Sequence, residues 1–404
     1  MGFVAEETKH LEGIPMSMRR NSLLSYVAVF ALATACTPTA PSQVTVTVQN
    51  PIQLARASET IAVRAADLKR LLKIDDIRRV HVRDQRSGQD LLTQAVDEDG
   101  DGAYDELIFQ TDLGPNENRS FQLRLGERRV PTSEEFKTYG RFVREREDDF
   151  AWENDKIAHR MYGEALETWP QEPLTSSAVD VWVKRVPRLV INNWYMVDDY
   201  HRDHGEGGDF YPAGSTRGCG GNGVWANDRL YPSANFRASR VLANGPIRLI
   251  FELTYAAWDV GGTRVSEVKR ITLDAGQNFN RFESHYKVES GQGAAQDAIG
   301  IRKGNDATNS DSRENGILRT WETLPDDHGK LGCAVIVDPA NLMAFTEDAK
   351  NFLVLAKIPD RVISYYAGFG WSQSGFPTAA DWETYVSDYA ERLKSPVIIT
   401  VAGP

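Results

Sequence analysis

Cysteine is scarce in this chain: three residues in 404, at Cys36, Cys219 and Cys333. So few exclude a disulfide framework, and neither Cys219 nor Cys333 falls in a CxxC pattern. Those two read as buried thiols, with a single bridge as the alternative in an oxidising compartment. Positive charge is also short. Lys and Arg number 46 against 57 Asp and Glu, a formal net charge of −11. That argues against a nucleic-acid partner, because neutralising phosphates takes clustered cations. It leaves room for an anionic ligand, which one local basic pocket can hold in an acidic protein. A nucleotide-binding glycine loop and an internal repeat are both missing from the pattern. The apolar run from Leu23 to Ala35 is too short for a comfortable bilayer span.

What is present begins with a targeting signature. Met18-Arg19-Arg20 gives a positive start, the apolar run follows, and small residues lead to Cys36. This is the layout of a secretory signal. Leu32-Ala33-Thr34-Ala35-Cys36 resembles a lipoprotein box, although Ala33 stands where a leucine is usual. The expectation is acylation at Cys36 and an exported chain, in the periplasm or at the outer membrane; an ordinary cleaved signal is the alternative. Thr37 to Gln43 reads as a tether.

From Val44 the pattern turns to strands. Val44-Thr45-Val46-Thr47-Val48 alternates with period two. Short runs at 60–64, 80–84, 107–110 and 120–125 complete a small β-domain over 44–129. The charged stretch 130–146 reads as a linker, with a short helix starting at Ser133. Strand signals then recur at 179–186, 246–258, 264–273, 280–289, 332–337, 351–356 and 361–368. Helices are expected at 338–345 and 378–393, and a closing strand at 396–401. Many short strands with few helices predict a mostly β chain of sandwich architecture.

Four constellations carry candidate chemistry. Asp97, Asp99, Asp101 and Asp105 alternate oxygen ligands around Gly100 and Gly102, a spacing suited to a structural calcium ion; a solvated acidic turn is the bland alternative. In Asn154 to Tyr162, alternation of an extended strand would set Asn154, Lys156, Arg160 and Tyr162 on one face. An amide, an ammonium, a guanidinium and a phenol together suit gripping a carboxylate beside a proton-transfer group. The glycine-rich stretch 192–223 holds His201, His204, Tyr211 and Arg217. Its histidines are candidate acid–base groups, and their HxxH spacing admits zinc as a lesser alternative. Finally, Tyr366 and Trp371 lie in an aromatic segment suited to stacking on sugar rings, unless they are core.

At these residues the chain resembles a family of uncharacterised domains in exported bacterial proteins of polysaccharide degradation. The resemblance rests on Glu153 to Ala158, Arg160 to Gly163, the His201–Asp209 loop, Asn244-Gly245-Pro246, and Tyr365 to Gly375 before Trp382. The family includes a dehydratase acting on oligosaccharides of ulvan, which removes water at a terminal uronic acid. The resemblance thus implies β-elimination on an acidic oligosaccharide, with no organic cofactor. The residues suggest roles: Arg160 and Lys156, helped by Asn154, neutralise the substrate carboxylate. His201 or His204 and Tyr162 or Tyr211 move protons, and Arg217 holds a further anionic group. The whole reading is a small β-sandwich followed, over 130–404, by a large antiparallel, supersandwich-like catalytic β-sandwich. Dehydratase and polysaccharide lyase stay undivided. The rivals are a glycoside hydrolase using Glu153, Glu206 or Asp209, and a noncatalytic sugar-binding lipoprotein.

Overall fold

Period-two alternation, read above from valines and threonines, becomes sheets whose buried faces meet. The structure, a computed structural model, describes residues 44–291, 296–304 and 306–403. The signal region and Cys36 lie outside the described residues. The fold is mostly β, in antiparallel sheets. Two sheets make a small N-terminal sandwich. One orders the strands Val44–Gln49, Asn118–Leu125 and Val80–Asp84; the other pairs Arg56–Arg64, Glu106–Leu113 and Thr93–Val96. Val44, Val46 and Val48 are fully buried between them, beside Phe109 and Phe121. The C-terminal strand Ile398–Ala402 joins this sandwich rather than the large one, pairing antiparallel with Val44–Gln49.

The large sandwich is built on an eight-stranded sheet. Its long strands Arg248–Val260, Thr263–Asp274, Phe279–Ser290 and Val362–Trp371 run side by side. A five-stranded sheet holding Cys219–Ala226, Gln296–Arg302 and Asn351–Lys357 belongs to the same core, as does a second holding Asp149–Asn154, Ala158–Met161 and Asp180–Lys184. Tight alternation is visible in Thr263–Asp274, where every second residue from Val265 to Leu273 is buried. The helix Ala379–Lys394 is capped by Thr378 and packs Trp382, Val386 and Ala390 on the outer face of the eight-stranded sheet. The described residues form one compact unit.

Local expectations fail in three places, each for a physical reason. The helix expected at 338–345 is a turn followed by the strand Leu342–Glu347, because pairing with Asn351–Lys357 outweighs local propensity. The helices Ala65–Leu72 and Ile191–Val197 went unread, being only about two turns each with no side-chain N-cap. The turn Ser133–Glu135 is a single 3₁₀ turn whose capping box runs from Thr132 to Glu135.

Candidate active site

The stretch from Asn154 to Tyr162 is not one strand but a hairpin, and that decides which of its residues reach a common place. Asn154 closes the turn: its Oδ1 accepts from the Lys156 and Ile157 amides, and its Nδ2 donates to the Asp274 and Gln277 carbonyls. Lys156 sits exposed at the tip. A turn breaks the period-two rule, so neither residue shares a face with Arg160. The expectation of a four-residue row is corrected here.

Arg160 points instead into a buried charged cluster assembled by three neighbouring strands and one short extension. It is the register partner of Asp180. Asp149 opens the adjacent strand, and Asp209 follows Gly207–Gly208, which pairs with Val183 and Lys184. Only glycine serves at 207: its φ is +117°, and a side chain there would strike the Val183 carbonyl. Arg160 donates through Nε to Asp180 at 2.9 Å, through Nη2 to Asp209 at 2.7 Å, and through Nη1 to Asp149 and the Tyr200 hydroxyl at 3.4 and 3.5 Å. Four of its five N–H donors are thereby engaged, leaving one on Nη2 beside Asp209. The rings of Tyr162, Trp182 and Tyr200 surround it at 5.4–5.6 Å.

Burial sets the protonation of this cluster. Desolvation, and then the nearby charge of Asp180, lift the Asp209 carboxyl well above the usual carboxylate range. Desolvation also pushes Asp149 up to about 6 against the pull of Arg160. Tyr162 is buried, donates to Asp180 at 2.8 Å, and is held well above the ordinary phenol value by burial and that carboxylate. His159 is stacked on Trp152 and pushed down to about 3 by burial, so it stays neutral.

A cavity of about 300 Å³ opens over the cluster, lined by Arg160, Tyr162, His201, Asp209, Tyr211 and His328 among others. His201 is 63% exposed, with Nδ1 3.6 Å from Asp209 Oδ2 and 3.3 Å from the Asp209 carbonyl. The cationic strand and the histidine-bearing loop therefore meet, at Asp209. His328, absent from the sequence reading, stacks on Phe210, and its carbonyl accepts from Trp371 Nε1 at 2.7 Å.

Other expected residues fall elsewhere. His204 is turned to Asp199 at 2.9 Å outside the cavity, so the HxxH pair does not converge. Tyr211 lends its ring to the cavity wall, but its hydroxyl donates to the Gly218 carbonyl at 3.0 Å. Arg217 is buried in the sandwich, bonded to Ser177 and the Asn222 carbonyl. Trp371 is core, and Tyr366, on the strand Val362–Trp371, lines a separate groove of about 410 Å³ beside the C-terminal helix. The arginines of that groove are already matched by carboxylates, Arg248 by Asp274, Arg270 by Glu252 and Arg281 by Glu283. In the acidic loop, oxygens of Asp97, Asp99 and Asp105 lie within 4.8 Å of one another, while Asp101 is turned to the Ala103 amide. Cys219 and Cys333 are buried and unbridged. Among the described residues, no helix is long and apolar enough to cross a membrane.

A family model described as a domain of unknown function, DUF4861, matches residues 48–399. The chain belongs to this family. It is 34% identical over 405 residues to uncharacterized protein P7 of Formosa agariphila, covering 95% of this chain and 100% of that one. Among solved structures it is similar to an α-mannosidase of Enterococcus faecalis (TM-score 0.47) and to a glycosyl hydrolase family 38 protein of the same species (TM-score 0.49). Each shares 11% identity over 90% of this chain, which spans 46% and 47% of those proteins, about half their length. At that identity and TM-score the likeness reaches no site residue.

Proposed function

We propose that this DUF4861 protein is a carbon–oxygen lyase that performs β-elimination on a uronate-containing oligosaccharide, most simply a dehydratase at a terminal uronic acid. One observation carries the reading: a solvent-reaching imidazole, a buried carboxyl lifted well above its usual range and the guanidinium bonded to that carboxyl line a single cavity. Those are the base, the acid and the carboxylate partner that elimination needs. His201 takes the C5 proton. The electron pair of that bond becomes the C4=C5 double bond, and the C4–O bond breaks. The departing oxygen takes the proton of Asp209, whose new carboxylate is met by Arg160. The His201 imidazolium then passes its Nδ1 proton to Asp209, and exchange with solvent returns the ring to its starting tautomer, which resets the site. The substrate carboxylate is drawn to the remaining Nη2 donor of Arg160.

The hydrolase alternative needs a pair of carboxylates, and of its three candidates only Asp209 lines the cavity, the other two being occupied elsewhere. Glu153 is fully buried, paired with Lys184 and accepting from the Val190 and Ile191 amides. Glu206 is held by Arg188 and Trp194. The exported, Cys36-anchored location remains part of the proposal, as the setting in which such oligosaccharides, those of ulvan included, are met. The test is incubation of the mature protein with uronate-containing oligosaccharides, followed by ultraviolet absorbance and product mass. A conjugated uronate with loss of one water is expected. A new reducing end without unsaturation would overturn the reading in favour of hydrolysis.

A further inference from the structure

We propose that the site eliminates from one face of the sugar ring only, so that its substrates are uronates whose C5 hydrogen and C4 oxygen lie cis, as in the gluco and manno configurations. The inference rests on the lyase reading and deepens it. Its basis is the contact between the two proton-transfer groups: His201 Nδ1 stands 3.6 Å from Asp209 Oδ2 and 3.3 Å from the Asp209 carbonyl. With Nδ1 turned to Asp209, the opposite ring nitrogen, Nε2, is the one directed away and free to accept a proton.

An anti elimination removes the proton from one face of the ring and the leaving group from the other. Its base and acid must then stand on opposite sides of the sugar, with the whole ring between them. Two groups in contact cannot straddle a pyranose. They can act only on neighbouring substituents that point the same way, which is the syn arrangement. The spacing of two catalytic groups sets stereochemical outcome here as it does for paired carboxylates in glycosidases.

The surroundings fix this arrangement. Asp209 is tied to Arg160 at 2.7 Å and follows the Gly207–Gly208 pairing, so it cannot swing across the cavity. The Tyr162 hydroxyl is committed to Asp180 on the same floor, and the Tyr211 hydroxyl is directed to the Gly218 carbonyl. Neither phenol is offered from an opposing wall. In the balanced step the C5–H and C4–O bonds break on one face, C4=C5 forms, and water leaves carrying the Asp209 proton. The imidazolium so formed can pass its Nδ1 proton to Asp209, and exchange of the Nε2 proton with solvent at the exposed ring restores the starting tautomer.

The test uses three disaccharides with one common aglycone and a terminal glucuronate, its C5 epimer iduronate, or its C4 epimer galacturonate. The first has the C5 hydrogen and C4 oxygen cis, and each epimer has them trans. Absorbance of the conjugated uronate and product mass are read for each with the mature wild-type protein. Turnover of the glucuronate with a preference of about 100-fold or more over both epimers is the expected result, the scale of losing one positioned proton-transfer group. Turnover of either epimer at a rate comparable to the glucuronate would overturn the single-face geometry while leaving the lyase reading standing. No unsaturated product from any of the three would remove both.

Discussion

Arg160 is surrounded by three carboxylates and three aromatic rings and still lines the cavity. His201, by contrast, packs little, and its removal should spare the fold. His201→Ala is expected to lower kcat by about 10²–10⁴-fold, the usual worth of a positioned general base, with an unchanged melting temperature. Near-normal turnover would take His201 out of the mechanism. Asp149 gives a second prediction. Its carboxyl, raised by burial to about 6 from 3.8, has one oxygen with no hydrogen-bond partner, the natural place for a proton. The folded protein then binds this proton more tightly than the unfolded chain does. Its contribution is full below pH 3.8 and is lost as pH rises through about 6. Asp149→Asn should therefore flatten the fall in melting temperature across that window; curves parallel to wild type would contradict it. The sequence revealed Arg160, Tyr162, His201 and Tyr211 because they lie in short stretches rich in polar and aromatic types. It concealed Asp149, Asp180 and His328, which come together only through strand pairing and a loop far along the chain.

At the scale of elements, legibility followed period and length. Strands that bury one face, such as Thr263–Asp274, announce themselves by alternation, and the Thr378-capped helix by its 3.6-residue spacing. The hairpin at Asn154 was misread because nothing local separates a turn closed by a side-chain amide from a continuing strand. The strand expected at 361–368 is Val362–Trp371, and it runs on through its glycines because Gly368 and Gly370 let Asn278 and Trp382 approach. The acidic loop between Thr93–Val96 and Glu106–Leu113 was read by spacing alone. Its backbone amides already satisfy Asp97, from Gly100 at 2.7 Å and Gly102 at 2.9 Å. Even so, three carboxylates gathered within 4.8 Å repel one another, and a calcium ion would relieve that repulsion. Calcium added to chelator-treated protein should raise its melting temperature, and Asp99→Asn should shrink that rise. Identical melting curves with and without calcium would reduce the loop to a solvated turn.

For the whole molecule, the two sandwiches are tied together more firmly than a linker reading of 130–146 implied. Gln94 of the small sandwich accepts from the Ile247 and Arg248 amides and donates to the Arg248 carbonyl, closing a side chain onto a strand end of the large one. Arg248 in turn pairs with Glu106 at 2.7 Å, and Val96 and Ile108 pack with Ile247 and Ile250. The chain then returns: after the C-terminal helix, Arg56 bonds the Ser395 carbonyl, and Ile398–Ala402 completes the first sheet. Deleting Val397–Pro404 would strip the Val44–Gln49 strand of a partner and expose the apolar surface now covered by Val397, Ile399 and Val401. Losing that much burial costs about 3 kcal/mol or more. Because both sandwiches share the Gln94 and Arg248 contacts, the loss should lower one cooperative transition instead of detaching a separate small-sandwich melt. Calorimetry of the intact and truncated chains decides it: two resolved transitions in the truncated protein would show that the small sandwich unfolds alone, and that its contacts do not hold the base of the large one.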